Sequence, residues 1–256
     1  MLLAIDAGNS NIVFGVYEGR EQLFCARVKT DSRKTEYEYA VLLNELFGLW
    51  GVRPDAVEGA AISSVVPALT DALKQAVCIL CHRSALVVGP GIKTGINLRI
   101  DDPGEAGADL VCTAVGVVEK YPLPAIIIDL GTATKILAID QKRNFLGCAI
   151  APGVMVSLGA LSSAAAQLPH IGLNTGLKVI GTNTIDSMMA GSVLGTAAMI
   201  DGMVERYREK LGQNATIVAC GGLIDAIVPH CRISILSDPS LLLDGLIAIY
   251  YKNTIA

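Results

Sequence analysis

A chain of 256 residues in which 52% are hydrophobic and 17% are charged has the composition of a compact globular protein, which excludes disordered and fibrous classes. Its formal net charge of −4 offers no basic stripe for phosphate groups, so we expect no nucleic-acid partner. No basic region precedes Asp6 near the N-terminus, which predicts a strand of a cytoplasmic protein rather than a secretory signal.

Strands and helices alternate through the first half of the chain. Apolar periodicity and the positions of proline and glycine define each element. In chain order, the predicted elements are a strand from Leu2 to Asp6, a strand from Ile12 to Tyr17, a helix from Tyr37 to Trp50, a strand from Glu58 to Val65, a helix from Pro67 to Cys81 and a strand from Ala85 to Val88.

The cysteines predict reduced thiols, because there are seven of them and no secretory signal is present. The segment from Cys78 to His82 has the spacing of a c-type haem attachment site. It also continues the apolar helical period of Leu69, Leu73 and Val77, so we interpret it as the end of a core helix.

The join between the two halves falls near the predicted helix around Val111 to Lys120, before Pro122 and Pro124. We therefore divide the chain into residues 1–117 and residues 118–256. The second half has predicted strands from Ala125 to Asp129 and Ile136 to Ile139, a helix after Pro152, a long helix from Ile185 to Leu211, a strand from Ala215 to Cys220 and a helix from Leu241 to Tyr250.

Two apolar features of the second half resemble membrane segments, but neither of them predicts a membrane span. The stretch from Asn144 to Leu177 has no Asp, Glu, Lys or Arg, but prolines and glycines interrupt it before the roughly 20 apolar residues that a span requires. We interpret it as buried core or subunit interface. Gly191 and Gly195 have a spacing typical of close helix packing, which we expect in the core or at a dimer contact.

The two halves carry the same motif, an Asp-x-Gly-[Asn/Thr] turn between apolar strands. The second copy, at Asp129, lies 123 residues after the first, at Asp6. This repeat predicts two similar α/β halves with mixed sheets and a ligand crevice between them. In the first copy, Gly8 allows successive N–H groups to bind phosphate oxygens, and Asp6 can orient Mg²⁺. A single copy would equally suit an ordinary hairpin.

The paired turns and the Gly221-Gly222 segment resemble the actin, sugar-kinase and heat-shock ATPase superfamily, which implies a duplicated ribonuclease H-like fold with an interdomain cleft. Within it, the chain resembles the type III pantothenate kinase family almost end to end. The matching stretches are Asp6 to Ser10, Ile62 to Pro67, Gly89 to Gly95, Pro103 to Asp109, Asp129 to Thr134, Ile150 to Gly153, Gly181 to Thr184 and Leu241 to Asn253.

The resemblance implies phosphorylation of pantothenate by ATP, the first step toward coenzyme A, by a homodimer that uses Mg²⁺ and a monovalent cation, K⁺ or NH₄⁺. It implies a base, Asp109, and a K⁺ ligand, Asp129. The implied ATP contacts are Asp6, Ala7, Gly8, Asn9, Ser10, Asn11, Ile12, Val13 and Thr132. The implied pantothenate contacts are Gly107, Ala108, Asp109, Leu110 and Thr184.

Several residues depart from the family pattern. Leu110 stands where the pattern has Arg, Lys135 where it has Thr, Cys220 where it has Thr, and Asp102 where it has Asn. Leu cannot supply the charged hydrogen bonds of Arg. Lys135 either adds a cation near phosphate or faces solvent at an edge.

The resemblance and the departures from it leave three functions open. They are a pantothenate kinase, a kinase of the same fold for another small hydroxylated substrate, and a weakened paralogue that binds nucleotide in a regulatory role. Without the resemblance, Asp109 would be interpreted as an acid stabilised by the dipole of the helix that follows it.

Overall fold

The computed structural model describes residues 1–165, 167–173 and 176–254. Its strands are β1 (Leu2–Ala7), β2 (Asn11–Glu18), β3 (Glu21–Lys29), β4 (Gly59–Ser64), β5 (Ala85–Val87), β6 (Asn97–Leu98), β7 (Ala125–Leu130), β8 (Ala133–Ile139), β9 (Asn144–Pro152), β10 (Thr216–Cys220) and β11 (Leu236–Ser237). Its α-helices are α1 (Glu36–Trp50), α2 (Pro67–Cys81), α3 (Ala108–Lys120), α4 (Val154–Ala164), α5 (Thr184–Met189), α6 (Gly195–Leu211), α7 (Ile224–Ile227) and α8 (Leu241–Thr254).

These elements form two compact units. The first contains residues 1–96, residues 101–120 and the segment from Ser240 onward, and the second contains residues 97–100 and 121–239. The boundary after Lys120 lies close to the predicted division at residue 117. The division at residue 117 assigned α8 to the second half, but α8 belongs to the first unit, where it contacts α3, β1 and β4.

The sheet of the first unit has the order β3-β2-β1-β4-β5. β2 is antiparallel to β1 and β3, whereas β4 is parallel to β1 and β5. On one face, Leu3 and Ile5 share an apolar core with residues of α1 and α2. Leu2 and Ala4 point to the other face and are also buried, which is why both faces of β1 are apolar.

Local signals explain where the first helices begin and end. Thr35 and Glu38 form a reciprocal capping box at the start of α1, and Gly51 ends it in the left-handed conformation with φ of 66°. Pro67 is accepted in the first turn of α2 because its missing N–H needs no partner there. These signals place both helices within one residue of their predicted starts.

The two helices α3 and α8 pack with their backbones in direct contact. A Cβ built on Gly245 would overlap the carbonyl oxygen of Cys112, and one built on Gly116 would overlap that of Leu241. The glycines therefore allow the α8 backbone to approach α3, which fixes the helix that carries Asp109.

The sheet of the second unit has the order β11-β10-β7-β8-β9-β6. β8 is antiparallel to β7 and β9, and β10 is parallel to β7. The order β9-β8-β7-β10-β11 therefore reproduces β3-β2-β1-β4-β5 of the first unit, with β6 added at the edge. This shared topology confirms the predicted α/β duplication, in which each Asp-x-Gly turn joins the first two strands of its unit.

The long predicted helix runs from Thr184 to Leu211, with a π-helical segment from Ala190 to Leu194 between α5 and α6. By length and composition alone this helix could cross a membrane, a test that core helices of water-soluble proteins also pass. Its buried residues Val193, Ile200 and Val204 contribute to the core of the second unit. The stretch from Asn144 to Leu177 contains β9 and α4.

Candidate active site

The first Asp-x-Gly turn lies between β1 and β2 and exposes a polar tip. The N–H of Gly8 donates to the carbonyl oxygen of Asn11 at 3.0 Å, which closes the bend, while Asn9 and Ser10 are exposed. Thr30, just after β3, donates its hydroxyl to the carbonyl oxygen of Gly8 at 2.7 Å and its N–H to that of Ser10 at 3.1 Å. Thr30 therefore fixes two carbonyl groups of the turn by hydrogen bonds. Thr30 was not predicted from the sequence, because its contact with the turn depends on the pairing of β2 with β3.

Asp6 is oriented by a side chain from a neighbouring strand. In the parallel pairing of β1 with β4, Asp6 is the register partner of Ser63. Ser63 is fully buried and its hydroxyl donates to Oδ1 of Asp6 at 2.9 Å. A carboxylate held in this way fits a hard divalent cation, which prefers oxygen ligands and takes the remaining ones from phosphates and water.

Asp109 lies in the first turn of α3. The N–H of Leu110 donates to its Oδ1 at 2.8 Å, and the hydroxyl of Thr113 donates to its carbonyl oxygen at 2.8 Å. Oδ1 is so close to Gly107 that a Cβ there would lie 2.5 Å away. Gly107 therefore leaves room for the Asp109 carboxylate, and the side chain of Leu110 is half-buried beside it.

Cys112 is a completely buried residue of α3, three positions after Asp109. Burial raises the pKa of its thiol well above the ordinary value, the carboxylates of Asp6 and Asp109 raise it further, and a hydrogen bond with Ser63 acts in the opposite direction. Val65, just after β4, contacts both the segment of Asp6 and that of Asp109: its N–H donates to the carbonyl oxygen of Ala7 at 3.1 Å, and its side chain lies 3.8 Å from the position that a Cβ of Gly107 would occupy. The first unit thus brings together the two segments predicted to contact ATP and pantothenate, Asp6 to Val13 and Gly107 to Leu110.

The second Asp-x-Gly turn, between β7 and β8, carries the exposed Thr132. The N–H of Gly131 donates to the carbonyl oxygen of Ala133 at 3.2 Å, and the N–H of Gly153 donates to that of Thr132 at 3.1 Å. The glycine N–H closes both turns, but the bond of Gly131 reaches two residues ahead, whereas that of Gly8 reaches three. At the base of the turn, Lys135 Nζ donates to Oδ2 of Asp129 at 2.8 Å.

The glycine pair after β10 lies against the end of β7. Gly221 has φ of 98°, a backbone conformation that favours glycine. A Cβ at this position would lie 2.6 Å from the carbonyl oxygen of Leu130, so the side chain of any other residue would overlap that oxygen. The N–H of Leu223 donates to the same oxygen at 3.3 Å. Thr184 is exposed at the first position of α5, after its cap residue Asn183. The second unit thus holds Asp129, Thr132, Thr184 and the glycine pair.

A concavity of about 580 Å³ opens on the second unit beside α4. Its lining includes Pro152, Leu161, Gly191, Gly195 and Met199. Outside their own helix, no described atom lies within 4 Å of a Cβ built on Gly191 or Gly195. The expected close packing of this pair in the core is therefore wrong for the described chain, and the dimer-contact alternative stays a prediction.

Most of the sequence matches one known protein family. The family model described as type III pantothenate kinase matches residues 2–206. A type III pantothenate kinase of Brevibacillus brevis is 42% identical over 253 residues, covering 99% of this chain and 99% of the relative. One from an Exiguobacterium species is 43% identical over 253 residues, with 99% of each chain covered.

The fold has counterparts among solved structures. The crystal structure of a conserved putative Baf family transcriptional activator from Campylobacter jejuni is similar with a TM-score of 0.61, at 15% identity, covering 98% of both chains. A second similar structure is the activator of the 2-hydroxyisocaproyl-CoA dehydratase from Clostridium difficile, solved with bound ADPNP, with a TM-score of 0.59 at 15% identity, covering 97% of this chain and 93% of that one.

Proposed function

The chain belongs to the type III pantothenate kinase family, and on that premise we propose that it transfers the γ-phosphoryl group of ATP to the primary hydroxyl of pantothenate. The observation that carries the proposal is the contact of Val65 with both proposed binding segments, through its N–H with the carbonyl oxygen of Ala7 and through its side chain with Gly107. It brings a phosphate-binding turn and a candidate base into one unit. A cytoplasmic location is part of the proposal, because ATP is an intracellular substrate.

A protein catalyses phosphoryl transfer mainly by positioning the reactants and neutralising their charge. We assign the backbone N–H groups and polar side chains from Asp6 to Val13 to the phosphates of ATP, and Thr132 to a second ATP contact. Asp6, fixed by Ser63, would hold a divalent cation together with phosphate oxygens. That cation supplies charge neutralisation for the transferred group when it is bound.

Asp109 is assigned as the base that accepts the proton of the pantothenate hydroxyl. Its carboxylate is fixed through Oδ1 by the N–H of Leu110, which orients it at the start of α3. Gly107, Ala108 and Leu110 surround it as the proposed substrate contacts, with Thr184 as a further one. A positioned carboxylate of this kind contributes about 10²–10⁴-fold to a reaction rate.

A second candidate function is favoured by one observation, the Leu at position 110. An Arg is expected there from the family pattern, and the change removes a charged group beside the base. A site with Leu at this position also suits a small hydroxylated substrate with fewer acceptor groups than pantothenate. A catalytically weakened paralogue that binds nucleotide is the outcome if neither class of substrate turns over.

The homodimer is proposed from the surface of the second unit. Leu146 and Ile150 on β9, and Met155, Val156 and Leu161 on α4, are all exposed apolar side chains, with Ile150 exposed to 65%. A group of exposed apolar side chains on neighbouring segments is typical of an interface. It lies beside the concavity lined by Pro152 and Leu161, which a second copy of the chain would fill.

The monovalent cation implied by the resemblance fits poorly. Its expected ligand, Asp129, already accepts a hydrogen bond from the ammonium group of Lys135. We therefore propose ATP and a divalent cation as the partners in the reaction.

The proposed function is tested by measuring ADP release from the purified protein with ATP, Mg²⁺ and pantothenate, and with a panel of small alcohols in its place. Turnover with pantothenate that is lost in Asp109→Asn supports the proposal. Turnover with another alcohol alone supports the second candidate. Nucleotide binding without any turnover contradicts both kinase assignments.

A further inference from the structure

Lys135 and Asp129 form an ion pair across two antiparallel strands. The two residues are register partners in the pairing of β7 with β8, so their side chains project from the same face of the sheet. Lys135 Nζ lies 2.8 Å from Oδ2 of Asp129. The side chains are exposed to only 17% and 14%, which is far less than in an ordinary surface ion pair.

The ion pair lies at the base of the turn that carries Thr132. The other carboxylate oxygen of Asp129, Oδ1, is 3.4 Å from the position that a Cβ of Gly131 would occupy. The carboxylate therefore has one oxygen next to the turn and the other on the lysine. A positive charge at Oδ2 thus helps to fix a carboxylate whose other oxygen lies beside the second turn.

The ammonium group of lysine and the cation expected at Asp129 have the same chemistry. A lysine Nζ is a compact positive charge with hydrogen-bond donors, comparable to a tethered NH₄⁺. It already neutralises Asp129 at hydrogen-bonding distance. A second monovalent cation on the same carboxylate would be repelled by the ammonium charge, because like charges disfavour each other strongly where water is largely excluded.

We propose that Lys135 takes the place of the monovalent cation, so that this kinase needs neither K⁺ nor NH₄⁺. The inference deepens the proposed function, because it describes the cation requirement of the same site. Lys135 is a positioning residue in this role, acting through Asp129 on the second turn. The Thr of the family pattern at this position would leave Asp129 without that tethered charge.

The first experiment uses the unmodified protein. ADP release with pantothenate is measured in K⁺, NH₄⁺, Na⁺ and tetramethylammonium salts at constant ionic strength. We expect equal rates in all four salts. A rate in K⁺ or NH₄⁺ that exceeds the rate in Na⁺ by about tenfold or more would overturn the inference, since this is the size of effect expected when a supporting charge mispositions a catalytic turn.

The second experiment creates a cation requirement. Lys135→Thr should lose about tenfold or more of its rate in tetramethylammonium or Na⁺ and recover it in K⁺ or NH₄⁺. The matched control is Lys252→Thr, which removes a lysine of similar burial at the same 2.8 Å distance from a carboxylate, Glu119, in the first unit. The control should be equally active in every salt. Recovery in no salt by a folded Lys135→Thr would contradict the inference.

Thermal unfolding separates failure of this inference from failure of the proposed function. In the presence of ATP and Mg²⁺, K⁺ should raise the melting temperature of Lys135→Thr above its value in Na⁺, and leave that of the unmodified protein unchanged. If pantothenate is not phosphorylated, this difference still supports the role of Lys135. A K⁺-dependent rise in the unmodified protein would contradict that role, whatever the substrate.

Discussion

The hydroxyl of Ser63 donates to Oδ1 of Asp6 at 2.9 Å, across the parallel pairing of β4 with β1. Ser63 is completely buried, so this hydroxyl orients the carboxylate without access to water. A hydrogen bond to a charged group contributes about 1.5–3 kcal/mol, and its loss leaves the partly buried acceptor, Asp6, less well satisfied. The position of the proposed divalent cation therefore depends on β4, which is not one of the two strands that the first turn joins.

Ser63→Ala should lower kcat/KM for ATP by about 10–150-fold, because the Asp6 carboxylate loses the bond that orients it. Steady-state kinetics with ATP and Mg²⁺ as the varied pair would measure the effect. The matched control is Ser64→Ala, since the Ser64 hydroxyl bonds to Val66 and Thr70 rather than to Asp6. Equal losses in the two variants would show that Ser63 acts only through strand packing.

Asp109→Asn should reduce turnover by about 10²–10⁴-fold while ATP binding stays nearly unchanged, because the amide cannot accept the substrate proton. Rapid mixing under conditions in which chemistry limits the rate would measure it. Glu36→Gln is the matched control, because Glu36 is also an acidic residue in the first turn of a helix. If Asp109 only stabilises its helix by interacting with the helix dipole, the free energy of unfolding of both variants should fall by about 0.3–1 kcal/mol. Neither variant should then lose turnover.

The stability of the first unit should depend on pH through Glu119. A hydrogen bond from Lys252, together with the charge of that lysine and contacts from Arg20, holds the pKa of the Glu119 carboxyl below 4.5, although partial burial acts in the opposite direction. Since the pKa is lower in the folded state, this pair stabilises the protein fully above pH 4.5. The contribution is lost as the pH falls through the folded-state pKa.

Glu119→Gln should therefore lower the free energy of unfolding near neutral pH, and the difference from the unmodified protein should shrink in acid. Urea unfolding at a series of pH values would measure both. Asp71→Asn serves as the control, because Asp71 pairs with Lys74 at an exposed surface site and such pairs contribute little. A difference that is independent of pH would contradict an electrostatic role for Glu119.

Local patterns in the sequence were sufficient for much of the fold. The helix α2 was predicted over its full length, because Pro67 marks its first turn and its apolar residues keep a helical period up to Cys81. The two Asp-x-Gly turns were predicted as equivalents because each interrupts a pair of apolar strands. By contrast, β3 and β9 alternate between partly buried and exposed residues, which makes them less distinct than the buried strands.

The features that were not predicted depend on strand register or on contacts between distant segments. The contact of Lys135 with Asp129 follows from strand register, which no short motif specifies. The contact of Ser63 with Asp6 needs the parallel pairing of strands that are separated by α1. Likewise, α8 follows the second unit in sequence but packs on α3, because two glycines at their contact allow the backbones to meet.

Leu110→Arg should raise kcat/KM for pantothenate, because it restores a charged donor next to the base. Leu110 is half-buried in the first turn of α3, and its N–H already donates to Oδ1 of Asp109 at 2.8 Å. A guanidinium group at this position can donate several hydrogen bonds to the acceptor groups of pantothenate. A charged hydrogen bond of about 1.5–3 kcal/mol corresponds to a gain of about 10–150-fold.

Two further substitutions separate charge from shape at this position. Leu110→Lys should give a smaller gain than Leu110→Arg, since a lysine cannot form the planar paired contacts of a guanidinium group, and Leu110→Met should give none. Kinetics over the same panel of alcohols would show whether any gain is confined to pantothenate. Rapid turnover of pantothenate by the unmodified protein, with no gain from Leu110→Arg, would mean that this pocket recognises pantothenate through other groups. A gain for a different alcohol in Leu110→Met would instead indicate that the side chain at position 110 selects the substrate by shape.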